Sequence, residues 1–175
     1  MSARRAPQRA TRAAAAPSPT SAHFGFEAGA GRHRVWGTAF LSQEGLAVNL
    51  VGGDQPHIGA VAVSIPRPSL ANPRQRSAST SVFTVVGHKE DEMARPAAAE
   101  LARVLGRTTV VVAGVHIRRA RAADLGKVLE NAGRAVEAII ARVKESHGGP
   151  RRPEERRAGA APAGRKPARR GRTQS

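Results

Sequence analysis

The chain has 175 residues, enough for one ordinary domain, and carries 29 Lys and Arg against 13 Asp and Glu for a net charge of +16. It contains no cysteine, which excludes disulfide scaffolds, thiolate zinc sites, iron–sulfur clusters and cysteine nucleophiles. No apolar run approaches the roughly 18 residues of a membrane span, and the stretch Ala13–Ala16 is too short for a secretory signal, so a cytoplasmic protein without membrane association is expected.

The charge is uneven. Residues 1–20 hold four arginines and no acid, and residues 146–175 hold nine basic residues and two glutamates. Both ends are rich in Ala, Pro, Gly and Arg and have little to bury. A disordered basic arm over 1–21 and a disordered tail over 146–175 are therefore expected to flank a folded domain over 22–145.

In chain order, His23–Glu27 alternates loosely and is followed by the turn Gly29-Ala30-Gly31. Arg34–Leu41 reads as a strand through Val35, Trp36, Thr38 and Phe40, and Gln43-Glu44-Gly45 turns the chain. Leu46, Val48 and Leu50 alternate with Ala47, Asn49 and Val51, the pattern of a strand with one buried face. Gly52-Gly53-Asp54 predicts a hairpin-type turn into the next strand, Ile58–Ile65. Residues 66–78, with three prolines and three arginines, read as a long loop. Thr80–Val86 is a strand, and Glu90-Asp91-Glu92 opens a helix whose apolar face is Met93, Ala97, Leu101, Val104 and Leu105. Pro96 predicts a kink or the first turn of a second part, and Gly106 a C-cap. Thr108–Val115 is a β-branched, buried strand. Leu125, Val128, Leu129, Ala132, Val136, Ile139, Ile140 and Val143 mark a long amphipathic helix ended by Gly148-Gly149-Pro150. The class is α+β: one antiparallel or mixed sheet with two helices on one face.

Few residues carry chemistry. His57 precedes a strand, His88 joins a strand to a helix, and His116 ends a strand. A metal would need the fold to gather them, since no two have helical i,i+3 or i,i+4 spacing and no carboxylate evidently joins them; the metal question stays open. Gly87-His88-Lys89 at a helix start suits a phosphate, whereas Glu90-Asp91-Glu92 would satisfy the same helix dipole unaided. Ser79, Thr80 and Ser81 offer hydroxyls nearby. A Gly-x-Ser-x-Gly elbow, a phosphate-binding Walker pattern and a dinucleotide fingerprint are all absent, so a binding module fits better than a catalyst.

Three ordered blocks, Pro56–Ser69 (PHIGAVAVSIPRPS), Ser79–Glu92 (STSVFTVVGHKEDE) and Thr109–His116 (TVVVAGVH), resemble the small D subunit of bacterial gallate decarboxylase systems, the LpdD-like prenylated-flavin chaperone family. The resemblance covers about residues 22–144. It implies a fold like that of small proteasome-assembly chaperones, a homodimer, and a protein that is not an enzyme. Such a protein binds prenylated FMN as cargo, shields it, and delivers it to a UbiD-type aromatic acid decarboxylase, with a flavin prenyltransferase as a second partner. It also implies cofactor contacts at His57, Ile58, Gly59, Ser81, Gly87, His88, Lys89 and His116. Family members often carry an acid or amide two or three places after the His116 position, where this chain has Arg118 and Arg119.

Two rival readings stand beside it. The Arg pairs of the tail, from Arg151-Arg152 to Arg169-Arg170, can neutralise phosphates and bind nucleic acid non-specifically, although neither end has an aromatic residue to stack on bases. A decarboxylase subunit that takes direct part in catalysis is the other.

Overall fold

The computed structural model describes residues 21–148; the basic arm and most of the Arg-rich tail lie outside the described residues, and with them the nucleic-acid reading. The elements run β1 (Ala22–Ala28), a 3-10 turn (Gly31–His33), β2 (Val35–Leu41), β3 (Gly45–Gly53), β4 (Ala60–Pro68), β5 (Arg76–Thr84), α1 (Asp91–Leu105), β6 (Thr108–His116) and α2 (Ala122–Gly148). The strands form one sheet in the order β1-β2-β3-β6-β4-β5, antiparallel except for the parallel pair β3–β6. This is a mixed sheet of the expected α+β class.

Alternation sorts the side chains into two faces. Register aligns Phe24, Ala39, Val48, Val111, Ala62 and Val82 in one row across the sheet. That face packs against both helices, α1 over β4, β5 and β6 and α2 over β1 and β2. Leu50, Val111, Leu101 and Ile139 sit fully buried between the layers. The helix faces follow their periodicity: Met93, Ala97 and Leu101 of α1 and Val128, Ala132, Val136, Ile139 and Val143 of α2 are buried. Leu125 is the exception, half exposed on the first turn of α2. Among the described residues no helix is long and apolar enough to cross a membrane.

Two local expectations are corrected. Gly52 and Gly53 do not turn into β4; they remain in β3, paired with Val115 and His116 of β6. The β-branched run of β6 gains a paired neighbour on each edge and burial in the middle of the sheet by sitting between β3 and β4, which outweighs the local turn signal. The long loop expected at 66–78 shortens, because β4 and β5 zip together as far as Pro68 and Arg76. Pro66 and Pro68 are tolerated there because β6 pairs with β4 only from Ala60 to Ser64, leaving that edge free beyond. As expected, Gly106 caps α1, which runs from Asp91 to Leu105 with Pro96 in its second turn, the φ of 68° at Gly106 being left-handed. The last helix, α2, extends to Gly148, where Gly148-Gly149-Pro150 is expected to end it.

The start of α2 is fixed by a polar contact to the β1–β2 connection. Asp124 accepts a hydrogen bond from the Arg121 backbone N–H at 2.8 Å, the reach-back of a capping box, and its other oxygen lies 2.7 Å from His33 Nε2. Asn131, 7% exposed, donates to the His33 carbonyl at 2.8 Å. The Arg121 N–H, with His33 adding to it, holds the Asp124 carboxyl down from 3.8 to about 2. A carboxylate depressed in the folded state contributes stability above its unfolded pKa and loses it as pH falls through the folded one. Asp124→Asn is therefore expected to lower the Tm above about pH 4, with the gap to the native protein closing between about pH 4 and pH 2 in a melting series.

Candidate functional site

Sheet order explains why residues far apart in sequence meet. β6 runs antiparallel to β4 and parallel to β3, so the end of β6 (His116) lies beside the end of β3 (Gly53) and close to the start of β4 (Ala60). The end of β5 pairs with that same start of β4, Ala60 with Thr84. His57 enters β4, His88 leaves β5, and His116 closes β6, so all three imidazoles arrive at one end of the sheet.

Close backbone approach then sets their positions. Gly59 N–H donates to the Ala113 carbonyl at 2.9 Å, and Val85 N–H donates to the Gly59 carbonyl at 2.8 Å. A Cβ on Gly114 would fall 1.7 Å from the His57 carbonyl oxygen, so only glycine lets the chain carrying His57 lie against β6. A Cβ on Gly59 would fall 2.4 Å from Glu90 Oε2, so the bare backbone there makes the space that the Glu90 carboxylate fills.

The result is a compact polar cluster. His57 Nε2 lies 2.9 Å from His88 Nδ1 and 3.1 Å from Glu90 Oε1, and His88 Nδ1 lies 3.4 Å from Glu90 Oε2. His57 Nδ1 faces the Gln55 carbonyl at 3.1 Å, which requires a proton on Nδ1 and orients the ring. The His57 and His88 rings are 4.6 Å apart between centroids, and the His116 ring stands edge-on to His57 at 6.3 Å. Glu90 sits at the N-terminus of α1 and accepts from the Lys89 backbone N–H at 3.0 Å. That amide is thereby occupied, and an anion at this corner would meet the exposed Lys89 ammonium instead.

Beside the cluster lies a cavity of about 460 Å³ between the sheet end and the two helices. Gly87, His88, Lys89, Glu90, Glu92 and His116 form its polar rim, while Met93, Val115, Ile117, Leu125, Val128 and Leu129 form its apolar wall. The segment after β6 closes one side. Arg118 donates its backbone N–H to Asp54 at 2.9 Å, its carbonyl accepts from Arg32, and Ala120 reaches the cavity. Arg118 and Arg119 both have exposed side chains, with Arg119 in a left-handed backbone conformation at φ 53°.

Of the residues singled out from sequence, His57, Gly59 and His88 lie in the cluster, and Gly87, His88, Lys89 and His116 line the cavity. Ile58 is 60% exposed and lines no part of it. Ser81 is not brought in: it pairs with Val63 on the sheet face opposite the helices. Glu90 was read from sequence as a helix-dipole carboxylate, and in the fold it joins two histidines. The available signal was its place two residues after His88. The apolar wall carried no signal of its own, since Leu125 and Leu129 belong to the same stripe that builds the core.

The sequence profile of the family described as "Prenylated flavin chaperone LpdD-like domain" matches residues 29–144. No curated protein matches the chain at a significant level. Among solved structures, the chain is similar to one in "Crystal Structure of a Novel Chaperone Complex for Yeast 20S Proteasome Assembly", with 12% identity and a TM-score of 0.47 over 72% of this chain and 97% of that one. The profile spans every strand from β2 onward, the histidine cluster and nearly all of both helices, and the chain belongs to the prenylated flavin chaperone LpdD-like family.

Proposed function

We propose that this protein is a non-catalytic carrier of prenylated FMN, which it takes up from a flavin prenyltransferase, shields from solvent and hands to a UbiD-type aromatic acid decarboxylase. The observation that carries this reading is the cavity at the sheet end. Its volume of about 460 Å³ lies within the range of about 300–1,000 Å³ usual for small-molecule sites. Its two kinds of wall match an amphiphilic ligand: apolar side chains for fused rings and a prenyl group, and a rim with Lys89 for a phosphate.

The bound group is cargo here, its reactive chemistry being used in the acceptor enzyme. The chain's own residues bind and exclude water. Met93, Val128 and Leu129 close the inner wall from α1 and α2, and half-exposed Leu125 stands at the mouth. Lys89 supplies one full positive charge at the rim, and His116 a polar edge. A rim whose one ammonium is offset by the Glu90 and Glu92 carboxylates gives moderate affinity for a phosphate, which transfer to a second protein requires.

The second face of the sheet bears on assembly. Phe40, Ile65, Phe83 and Val85 are 47%, 56%, 73% and 48% exposed, and Val61, Val63, Val110 and Val112 lie between them on the same face, which no described residue covers. Contiguous apolar area of this kind marks an interaction surface. Its centre has no charged side chain to demand an opposite partner, so a second copy of the chain packed on this face, related by a two-fold axis, is the proposed occupant.

Co-expression with a flavin prenyltransferase is expected to yield a coloured protein with stoichiometric prenylated FMN by mass spectrometry; colourless protein from cells that make the cofactor would remove the carrier reading. Leu125→Glu should abolish retention, and Lys89→Ala should weaken it by about tenfold or more, the usual worth of a charge-assisted contact. Phe83→Asp, at an exposed position, should convert a dimer to a folded monomer in light scattering while leaving flavin loading intact.

A further inference from the structure

We infer that His57, His88 and Glu90 form a binding site for a divalent first-row transition metal ion at the wall of the cavity. The inference stands apart from the flavin reading, since it rests on the cluster and not on the cavity's ligand.

Three potential ligand atoms converge from three segments that the fold holds independently: the entry to β4, the exit from β5 and the N-terminus of α1. His57 Nε2 and His88 Nδ1 are 2.9 Å apart, and the Glu90 carboxylate reaches both, with Oε1 3.1 Å from the first and Oε2 3.4 Å from the second. Ligands that each lie about 2.0–2.2 Å from one ion, at angles between roughly 90° and 110°, stand about 2.8–3.6 Å apart. The three groups are partly sheltered, with side-chain exposures of 24% for His57, 33% for His88 and 12% for Glu90.

Hydrogen bonding alone does not account for the arrangement. The Nδ1 proton of His57 is committed to the Gln55 carbonyl, which leaves Nε2 facing both His88 Nδ1 and a carboxylate oxygen. With Nε2 unprotonated, its lone pair is set against the Glu90 carboxylate at 3.1 Å. With Nε2 protonated toward Glu90 Oε1 and His88 Nδ1 protonated toward Oε2, two N–H groups are pressed together at 2.9 Å, so the three contacts cannot all be hydrogen bonds at once. A cation at the common centre meets all three at once.

The surroundings are those of a metal ligand set. The Nδ1–H of His57 on a backbone carbonyl is the outer contact that orients a ligating imidazole and raises its basicity. The Lys89 N–H on Glu90 does the same for the carboxylate. Two imidazoles and one carboxylate favour zinc, or iron, cobalt or manganese in the divalent state, over magnesium or calcium, which prefer oxygen. Three protein ligands leave further positions open, and His88 and Glu90 both line the cavity, so those positions face it.

The test uses the full chain, stripped with EDTA and free of flavin, titrated with Zn²⁺ by calorimetry and with Co²⁺ by visible absorption. The expected result is one ion per chain, with His57→Ala, His88→Ala and Glu90→Gln each weakening binding at least about tenfold and His23→Ala, remote on the open sheet face, leaving it unchanged. No binding below millimolar concentration, or binding that survives all three substitutions, would overturn the site. Should the variants fold poorly, nitrogen NMR of the native protein decides: Zn²⁺ must shift His57 Nε2 and His88 Nδ1 and spare His23, and an unshifted pair overturns the proposal. Flavin loading is measured separately on stripped protein. Loading without metal binding rejects this site and keeps the carrier reading, and metal binding without loading does the reverse.

Discussion

The parallel pairing of β3 with β6 is the constraint on which the rest depends. A strand that enters the middle of a sheet must arrive by a crossover, and here the crossover is the β4–β5 hairpin followed by α1. With β6 between β3 and β4, the ends of β3, β5 and β6 and the start of β4 all lie at one edge of the layer. Had β3 and β4 joined as a hairpin, β6 would have no central place. His116 would then stand away from His57 and His88, and the cavity would lose its sheet-side wall. One choice of neighbour creates both the core and the site.

At that edge the packing is set by what is missing. Gly59 and Gly114 lack the atoms that would keep chain segments apart, so the backbone before β4 lies directly on β6 and Glu90 folds in above it. The carboxylate thereby serves two needs. It occupies the positive end of α1, accepting from the Lys89 amide, and it faces two imidazoles whose nitrogen atoms converge on it. The polar group is brought inward only because three partners are waiting for it, which is the condition for burying a charge at all.

The two faces of the sheet divide the labour. One is covered by helices and supplies the core, opening at its end into a cavity with apolar walls and a polar rim. The other carries aromatic and β-branched side chains that no described residue covers. Both described helices pack on the first face. The proposed ligand site lies on the helical side and the proposed assembly surface on the other, so neither proposed use interferes with the other.

Much of this was written in local pattern. The alternation of Leu46, Val48 and Leu50, the β-branched run of 108–115 and the stripes of Met93–Leu101 and Val128–Val143 state element type directly, because periodicity reflects which side of an element meets water. The ordered blocks around His57, His88 and His116 also pointed to the family. Local pattern misread the places where a choice between distant partners decides: Gly52-Gly53 has the chemistry of a turn but remains in a strand, and residues 66–78 look like a loop until β4 and β5 zip through them. Ser81, close in sequence to the site residues, went to the opposite face by the two-residue period of its strand. Glu90 read as a dipole carboxylate because its histidine partners come from other segments. The sequence by itself determined the elements, their buried faces and the identity of the imidazoles. Only the tertiary structure decided which strand neighbours which, and so which side chains share a few ångströms of space, because strand pairing is a competition among non-local partners that no single stretch of chain records.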